Sequence, residues 1–126
     1  MDPIFTDREL DIMNVLWDAA SGTAAEVRAR LADSLAYNTV LTMLGILEEK
    51  GFVRHEEEGR AFRYYPTVAR RKAKASAVRR LTERLFDGDP RLLVTELVSD
   101  RALSDQDLRD LKALLDQRLR DRRNKR

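Results

Sequence analysis

A change in hydrophobic period at Gly51 constrains the fold of this sequence more than any other feature. Before Gly51, apolar residues recur at intervals of three and four, which is typical of amphipathic helices. After it, two short runs rich in β-branched and aromatic residues flank a glycine, which is typical of a hairpin. The order of elements on either side of Gly51 therefore decides the fold.

Three short helices are predicted before Gly51. The first follows the capping box Thr6–Glu9, and the second follows a similar box, Thr23–Glu26. The third begins near Asn38 or Thr39 and ends at Gly51, where glycine permits a left-handed turn. The residues expected to face inward are Leu10, Met13, Leu16, Trp17, Ala20, Val27, Leu31, Val40, Met43, Leu44 and Leu47.

Two strands are predicted over residues 52–56 and 61–65, with a turn at 57–60 that contains Gly59, and Pro66 ends the second strand. Three short helices followed by such a hairpin are the order of a winged helix, in which the third helix enters the major groove of DNA. We therefore predict a mainly α, α+β winged-helix fold, with a DNA-binding head over residues 1–68.

The chain behind Pro66 is predicted to be helical, over residues 69–86, 91–98 and a last helix that Ser104 caps. These short helices carry more apolar residues than one chain can bury, which favours a homodimer interface. We assign residues 69–117 to a helical dimerisation region and residues 118–126 to a disordered basic tail. The predicted dimerisation residues are Leu81, Leu85, Leu93, Val94, Leu97, Leu108, Leu111 and Leu115.

Candidate DNA-reading residues lie at the start of the third helix. Asn38, Thr39 and Thr42 point away from the apolar stripe, and their amide and hydroxyl groups suit base edges and phosphates. The alternative is that Asn38 or Thr39 only caps the helix. Leu41 either touches a thymine methyl group or is buried, and the pattern slightly favours burial.

The hairpin offers further DNA contacts. Arg60 at its tip and Arg63 on the return strand are placed for phosphates, and Tyr64 is included as a phosphate donor because one of two alternating tyrosines faces outward. The acidic run 56–58 opposes DNA, so a hairpin that is only solvated stays an alternative. His55 is expected to face solvent or pack on the hairpin.

The overall charge is nearly balanced but unevenly distributed, with 24 Lys and Arg against 22 Asp and Glu. Residues 1–68 hold 7 basic and 12 acidic residues, and the rest of the chain holds 17 and 10. The back half therefore supplies part of the attraction for phosphates, and the cluster Arg70, Arg71, Lys72 and Lys74 is either a solvated face or a phosphate contact.

Several functional classes are excluded by what the sequence lacks. It has no cysteine and one histidine, so disulfides and thiolate metal sites are impossible, and we predict no metal and no cofactor. No nucleophile–base pair or glycine-rich phosphate loop is present, so we predict no enzyme activity. No membrane-spanning run or secretory signal is recognisable, and we expect a cytoplasmic protein.

The chain resembles the penicillinase-repressor family (BlaI/MecI type) of bacterial transcription regulators along nearly its whole length. The matching pieces are Thr6-x-x-Glu9 with Ile12-Met13 and Leu16-Trp17, Thr39-Val40-x-Thr42-x-Leu44 with Leu47 and Lys50-Gly51, Gly59-Arg60 with Tyr64-x-Pro66, Phe86-x-Gly88, Leu93-Val94 and Leu103-Ser104. The resemblance implies a homodimeric repressor on a palindromic DNA operator, with the C-terminal helices forming the dimer.

The chain departs from the family pattern at three places, one of which is the C-terminal cysteine motif of the copper-responsive branch, which it lacks. Ile46 and Glu49 stand where the family usually has Arg and Lys in the third helix. Glu96 and Leu97 stand where a sensor protease cuts an Asn-Phe bond in penicillinase repressors, so we expect poor cleavage by such a protease. The rival function is a winged-helix protein-interaction module that binds no DNA.

Overall fold

The structure is a computed structural model that describes residues 2–125. It divides into two compact units, of which the first ends at Val78 and the second begins at Arg79. The elements are α1 (Asp7–Ala19), β1 (Gly22–Thr23), α2 (Ala24–Arg30), α3 (Tyr37–Glu49), β2 (Val53–Glu58), β3 (Ala61–Pro66), α4 (Arg70–Leu85), α5 (Pro90–Ser99) and α6 (Asp105–Asn124). The predicted fold class, mainly helical with a winged-helix order, is confirmed.

The capping box at the start of α1 is confirmed and extended by a third residue. The Thr6 hydroxyl accepts from the Glu9 N–H at 3.2 Å, and the Thr6 N–H donates to Glu9 Oε1 at 2.8 Å. The other carboxylate oxygen of Glu9 accepts from Lys50 Nζ at 2.8 Å. Because Lys50 is the C-cap of α3, this buried carboxylate joins the start of α1 to the end of α3.

The second predicted box is only half formed. The Thr23 hydroxyl accepts from the Glu26 N–H at 3.2 Å, as predicted. The Glu26 carboxylate accepts from the Arg63 guanidinium at 2.9 Å, and the nearby Thr23 N–H lowers the pKa of that carboxyl less than Arg63 does. The long-range charged partner is therefore stronger than the local neutral one.

The sheet has three antiparallel strands in the order β1-β3-β2. The sequence did not predict β1, since a two-residue strand carries no period. The hairpin turn is also shorter than predicted: Glu58 pairs with Ala61, which leaves Gly59 and Arg60 as the loop. Gly59 has φ +61°, and a glycine in this conformation at the first loop position is typical of two-residue hairpins.

The core of the first unit lies between the three helices and the sheet. Its buried members are Ile12, Met13, Leu16, Ala24, Val27, Val40, Leu44, Leu47, Phe52, Val53 and Tyr64. Trp17 is half-buried at the edge, where its indole Nε1–H donates to the Val68 carbonyl at 2.9 Å. Ala20, expected inside, is the exposed C-cap of α1 with φ +72°, because the helix has already ended at Ala19.

The first turns of α4 belong to the first unit, which therefore extends beyond the expected boundary at residue 68. Ala73 and Ser76 are buried, at 6% and 2% exposure. The Ser76 hydroxyl donates to the Pro3 carbonyl at 3.1 Å. A polar residue among basic neighbours gave no sequence signal for this contact.

The second unit has no buried residue on α5 or α6. The predicted dimerisation residues Leu81, Leu85, Val94, Leu97, Leu108, Leu111 and Leu115 are exposed, and Leu93 is half-buried. The expectation of a disordered tail at residues 118–126 is wrong, because α6 continues to Asn124. Its continuation has local causes: Gln117 bonds Asp121 and Arg120 one turn away, and basic side chains in the last turn suit the negative end of the helix dipole.

Candidate nucleic-acid interface

The start of α3 rules out a purely capping role for the predicted reading residues. The helix begins at Tyr37, earlier than predicted, and its N-cap Ala36 makes no side-chain capping bond. Asn38 and Thr39 are therefore helical residues, and the capping alternative for either is wrong.

The outward face of α3 carries free polar groups. Asn38, Thr39 and Thr42 are exposed and, together with Met43, line one shallow depression. Within residues 2–125 their side chains have no hydrogen-bond partner. The structure thus brings the three predicted residues together with unused donors and acceptors.

The rest of that face carries apolar side chains and one carboxylate, that of the exposed Glu49, which lies two turns after Thr42. Leu41 and Ile46 are exposed at 36% and 41%, so the slight preference for a buried Leu41 was wrong. Gly45 lies between them, and α3 contains no Lys or Arg. The outward face of α3 therefore presents amide, hydroxyl, apolar and carboxylate groups and no cation.

The wing formed by β2 and β3 is fixed to α3 through His55. Its Nδ1 lies 2.6 Å from Glu48 Oε2, and its ring stacks on Phe62 with centroids 4.3 Å apart. The expectation that His55 packs on the hairpin is confirmed, with α3 as an additional partner.

The guanidinium of Arg63 is fully occupied inside the chain, which contradicts its predicted phosphate contact. Nε donates to Glu58 Oε1, Nη1 donates to Ser21 Oγ and Glu26 Oε1, and Nη2 donates to Glu26 Oε2 and Glu58 Oε2, at 2.9–3.2 Å. These are all five donors of the side chain. Arg63 therefore joins α2, β2 and β3 and has no donor left for DNA.

The same network shifts the pKa values of its members. Hydrogen bonds from Arg63 hold the pKa of the Glu26 and Glu58 carboxyls below the usual range. Hydrogen bonds to Glu58 and then Glu26 raise the pKa of Arg63. All three groups are thus charged at neutral pH, and the single positive charge of Arg63 compensates one of the two acidic charges.

Arg60 retains its predicted role as a candidate phosphate contact. It is exposed in the hairpin loop and has no ion-pair or hydrogen-bond partner within residues 2–125. The acidic run beside it is partly compensated, since Glu56 Oε1 accepts from Arg54 at 2.8 Å and Glu58 pairs with Arg63. Only Glu57 of that run has no partner in the described part of the chain.

Tyr64 is not at the surface, which corrects the second predicted wing contact. It is 4% exposed within the core, where burial raises the pKa of its hydroxyl. Tyr65 is the outer tyrosine, half-buried under the Arg54 guanidinium at 4.4 Å from the ring centroid. Alternation predicted that one tyrosine is buried but could not say which.

Sequence reasoning missed two cations on α2. Arg28 Nε donates to the Leu35 carbonyl at 2.7 Å and so holds the connection into α3. Arg30 is exposed in the last turn of α2 without an ion pair or hydrogen bond among residues 2–125. Their place on the helix before the reading helix was the available signal. Of the α4 cluster, Arg70 is bound by Asp18 at 2.8 Å, whereas Arg71, Lys72 and Lys74 are exposed.

The described residues lack two further classes of feature. No helix there is both long and apolar enough to cross a membrane. Residues 2–125 also contain no cluster of His, Asp or Glu that could hold a metal ion.

Three helices, a wing behind the third helix and free polar side chains on that helix define the class of winged-helix DNA-binding proteins. The sequence profile of the penicillinase repressor family matches residues 5–117. The chain belongs to this family of transcriptional repressors, which is not an enzyme class, and the resemblance seen in the sequence is confirmed.

Individual relatives agree with this assignment. The chain is 27% identical over 117 residues to the penicillinase repressor of Bacillus licheniformis, with 91% of each chain covered. It is 21% identical over 112 residues to the methicillin resistance regulatory protein MecI of Staphylococcus aureus strain N315, covering 87% of this chain and 91% of that one.

Solved structures are similar as well. The DNA-binding domain of the repressor BlaI, solved in solution, has a TM-score of 0.51 and 34% identity, covering 57% of this chain and 90% of that domain. The oxidised form of MarR from E. coli has a TM-score of 0.52 at 21% identity, covering 91% of this chain and 76% of that one, and is similar in fold alone.

Proposed function

We propose that this protein is a homodimeric, sequence-specific repressor that binds a palindromic DNA operator. In this proposal α3 of each copy enters the major groove, and the wing lies along the adjacent backbone. The observation that carries it is the outward face of α3, where Asn38, Thr39 and Thr42 hold polar groups that no other part of the described chain uses. Such groups suit base edges and phosphates.

The apolar surface of α5 and α6 supports the dimer. Leu97, Leu111 and Leu115 are exposed at 55%, 38% and 58%, and a soluble chain rarely leaves so many leucines in water. A second copy covers the same surface on both partners through a two-fold axis. That axis presents two identical reading helices, which is why the operator is proposed to be palindromic.

The attraction to phosphates is proposed to come from outside α3. Arg60 in the wing, Arg30 on α2 and the cluster Arg71, Lys72 and Lys74 on α4 are exposed cations without ion pairs in the described residues. Because phosphate contacts are insensitive to sequence, these residues set affinity and α3 sets the choice of sequence.

The test compares binding to an operator with binding to random duplex DNA, both titrated with full-length protein at several salt concentrations. The operator is sought as an inverted repeat in the DNA upstream of the protein's own gene. Asn38→Ala and Thr42→Ala are expected to lower the preference for the operator by about 1–3 kcal/mol each, because they remove base-edge contacts. Asn124→Ala, which removes an exposed amide at the end of α6, is the control and should leave the preference unchanged.

Equal losses of affinity on both duplexes would show that α3 does not recognise the operator sequence. No binding to any duplex at low salt would favour the rival function, a protein-interaction module. Both results are distinguishable from a folding defect by the thermal unfolding of each variant.

Release from the operator by a sensor protease is a separate proposal about the Glu96–Leu97 bond. Both side chains are exposed on α5, but the peptide bond lies inside a ten-residue helix, so cutting it requires local unfolding. We propose a protease whose preference differs from Asn-Phe, or release by another signal. Efficient cutting at this bond by a penicillinase-type protease, mapped by mass spectrometry, would contradict both.

A further inference from the structure

Gly45 stands in the middle of α3, the proposed reading helix, without a structural reason inside the chain. A Cβ built on it would meet no heavy atom within 4 Å beyond its chain neighbours and the backbone of its own helix. Its φ is not among the positive values of the chain, so any residue can adopt its backbone conformation. Glycine is nevertheless among the weakest helix formers.

Gly45 lies on the outward face of α3. At 3.6 residues per turn it lies within about 20° of Asn38 around the helix axis. Leu41 and Thr42 precede it by one turn and so flank it on the helix surface. The missing side chain therefore leaves a notch in the surface that faces outward, bordered by an exposed leucine and a threonine on one side and by the exposed Glu49 one turn later.

We propose that this notch receives the 5-methyl group of one operator thymine in each half-site. The inference rests on the proposed function, since it names the group that α3 meets in the major groove. A thymine methyl is the one apolar group that a base pair presents there, and apolar side chains are its usual contacts. The absence of Lys and Arg from α3 leaves no cation at the notch to favour guanine.

The test removes a methyl group from the DNA and, in a second step, adds one to the protein. Full-length wild type first selects a duplex from a random-sequence pool, and each thymine of that duplex is then replaced in turn by deoxyuridine, which lacks only the methyl group. At one thymine per half-site, wild-type binding is expected to weaken about fourfold, the equivalent of one buried methylene.

Gly45→Ala places a methyl group in the notch. It is expected to weaken binding to the all-thymine duplex by about tenfold or more, because added volume in a close contact is not tolerated. On the duplex with deoxyuridine at the critical position, the space is restored and Gly45→Ala binds more tightly than on the all-thymine duplex. The preference at that position thus changes sign between the two proteins.

Folding is controlled in the same experiment. Gly45→Ala is expected to raise the melting temperature by about 4–8 °C, as helix propensity predicts, so weaker binding cannot come from unfolding. Ala75→Ser is the matched control, because it also adds one heavy atom to an exposed helical position, but on α4. It should leave both duplexes bound as by wild type.

Two results would overturn the notch proposal while leaving the proposed function intact. Either Gly45→Ala binds the all-thymine duplex as tightly as wild type, or no thymine position reverses its preference. Failure of wild type to select any sequence would instead overturn the proposed function, and the notch with it.

Discussion

At the scale of single residues, Ala20 is the clearest site of backbone strain. It caps α1 with φ +72°, a region in which a Cβ approaches the following carbonyl. Ala20→Gly is expected to raise the free energy of unfolding by about 1 kcal/mol, measured by urea denaturation. Ala19→Gly, one residue earlier and still helical, is the control and should lower it by about 0.5–1 kcal/mol. Equal effects of the two changes would show that the cap conformation is not strained.

Glu9 is expected to make stability depend on acid pH. Burial alone raises the pKa of its carboxyl, but hydrogen bonds from Lys50 and the Thr6 N–H outweigh burial and leave the pKa below its usual value of 4.5. A lowered pKa in the folded state stabilises the fold above about pH 4.5, and this contribution is lost as the pH falls through the folded value.

The measurement is the urea midpoint of unfolding between pH 7 and pH 3. Wild type should lose stability below about pH 4.5, and Glu9→Gln should start lower and lose less over the same range. If the urea midpoints of the two proteins fell in parallel with pH, the acid sensitivity would come from other groups, for example Glu26 and Glu58.

At the scale of elements, the wing contains two arginines with opposite roles. Arg60→Ala should reduce the slope of log affinity against log salt by about 0.9 for each phosphate that the protein no longer neutralises, with stability unchanged. Arg63→Ala should leave that slope unchanged, since Arg63 has no free donor.

Arg63→Ala should instead destabilise the wing, because Glu26 and Glu58 then face each other without a counter-charge. Faster amide hydrogen exchange in β2 and β3 is the expected sign, and Arg63→Lys, which keeps the charge but loses the fork, should give an intermediate result. A reduced salt slope in Arg63→Ala would show that this residue binds DNA after all.

The elements themselves were largely readable from the sequence. The box at Thr6–Glu9, the period of α3 and the turn at Gly59 are local patterns, and each led to the correct element. Local patterns failed where a distant residue takes part: the Glu26 carboxylate is bound by Arg63, and β1 is a strand because it pairs with β3.

The residues of the candidate site were likewise predictable where local spacing decides their position and not where distant contacts decide it. The exposed polar residues of α3 follow from helical spacing, so Asn38, Thr39 and Thr42 were placed correctly on the outward face. Whether a wing residue is free depends on contacts far away in sequence, so Arg63 and Tyr64 were misplaced. A pattern of residue types cannot reveal that all five donors of a guanidinium are already used.

At the scale of the whole molecule, the end of the first unit makes a prediction about truncation. A fragment ending at Val78 should fold cooperatively, remain monomeric and bind the operator much more weakly than the full chain, because the second half-site is no longer tethered. A fragment ending at Pro66 should be less stable, since it lacks the partners of Trp17 and Pro3.

Thermal unfolding and light scattering distinguish these outcomes. Leu111→Lys in the full chain is the matched comparison, as it disturbs only the proposed dimer surface and should give a folded monomer. A Val78 fragment that still dimerises would place the interface in the first unit.

The lack of any cation on α3 separates the affinity for DNA from the choice of sequence, two properties that many DNA-binding proteins combine in one helix. In the proposed function, occupancy of DNA depends on ionic strength through cations on other elements, while discrimination between sequences depends on contacts to bases, which release no counterions. Rising salt should detach the protein from operator and random DNA by similar factors, so the ratio of the two affinities stays nearly constant. Such a repressor would keep its choice of site through changes in ionic strength that alter how much of it is bound.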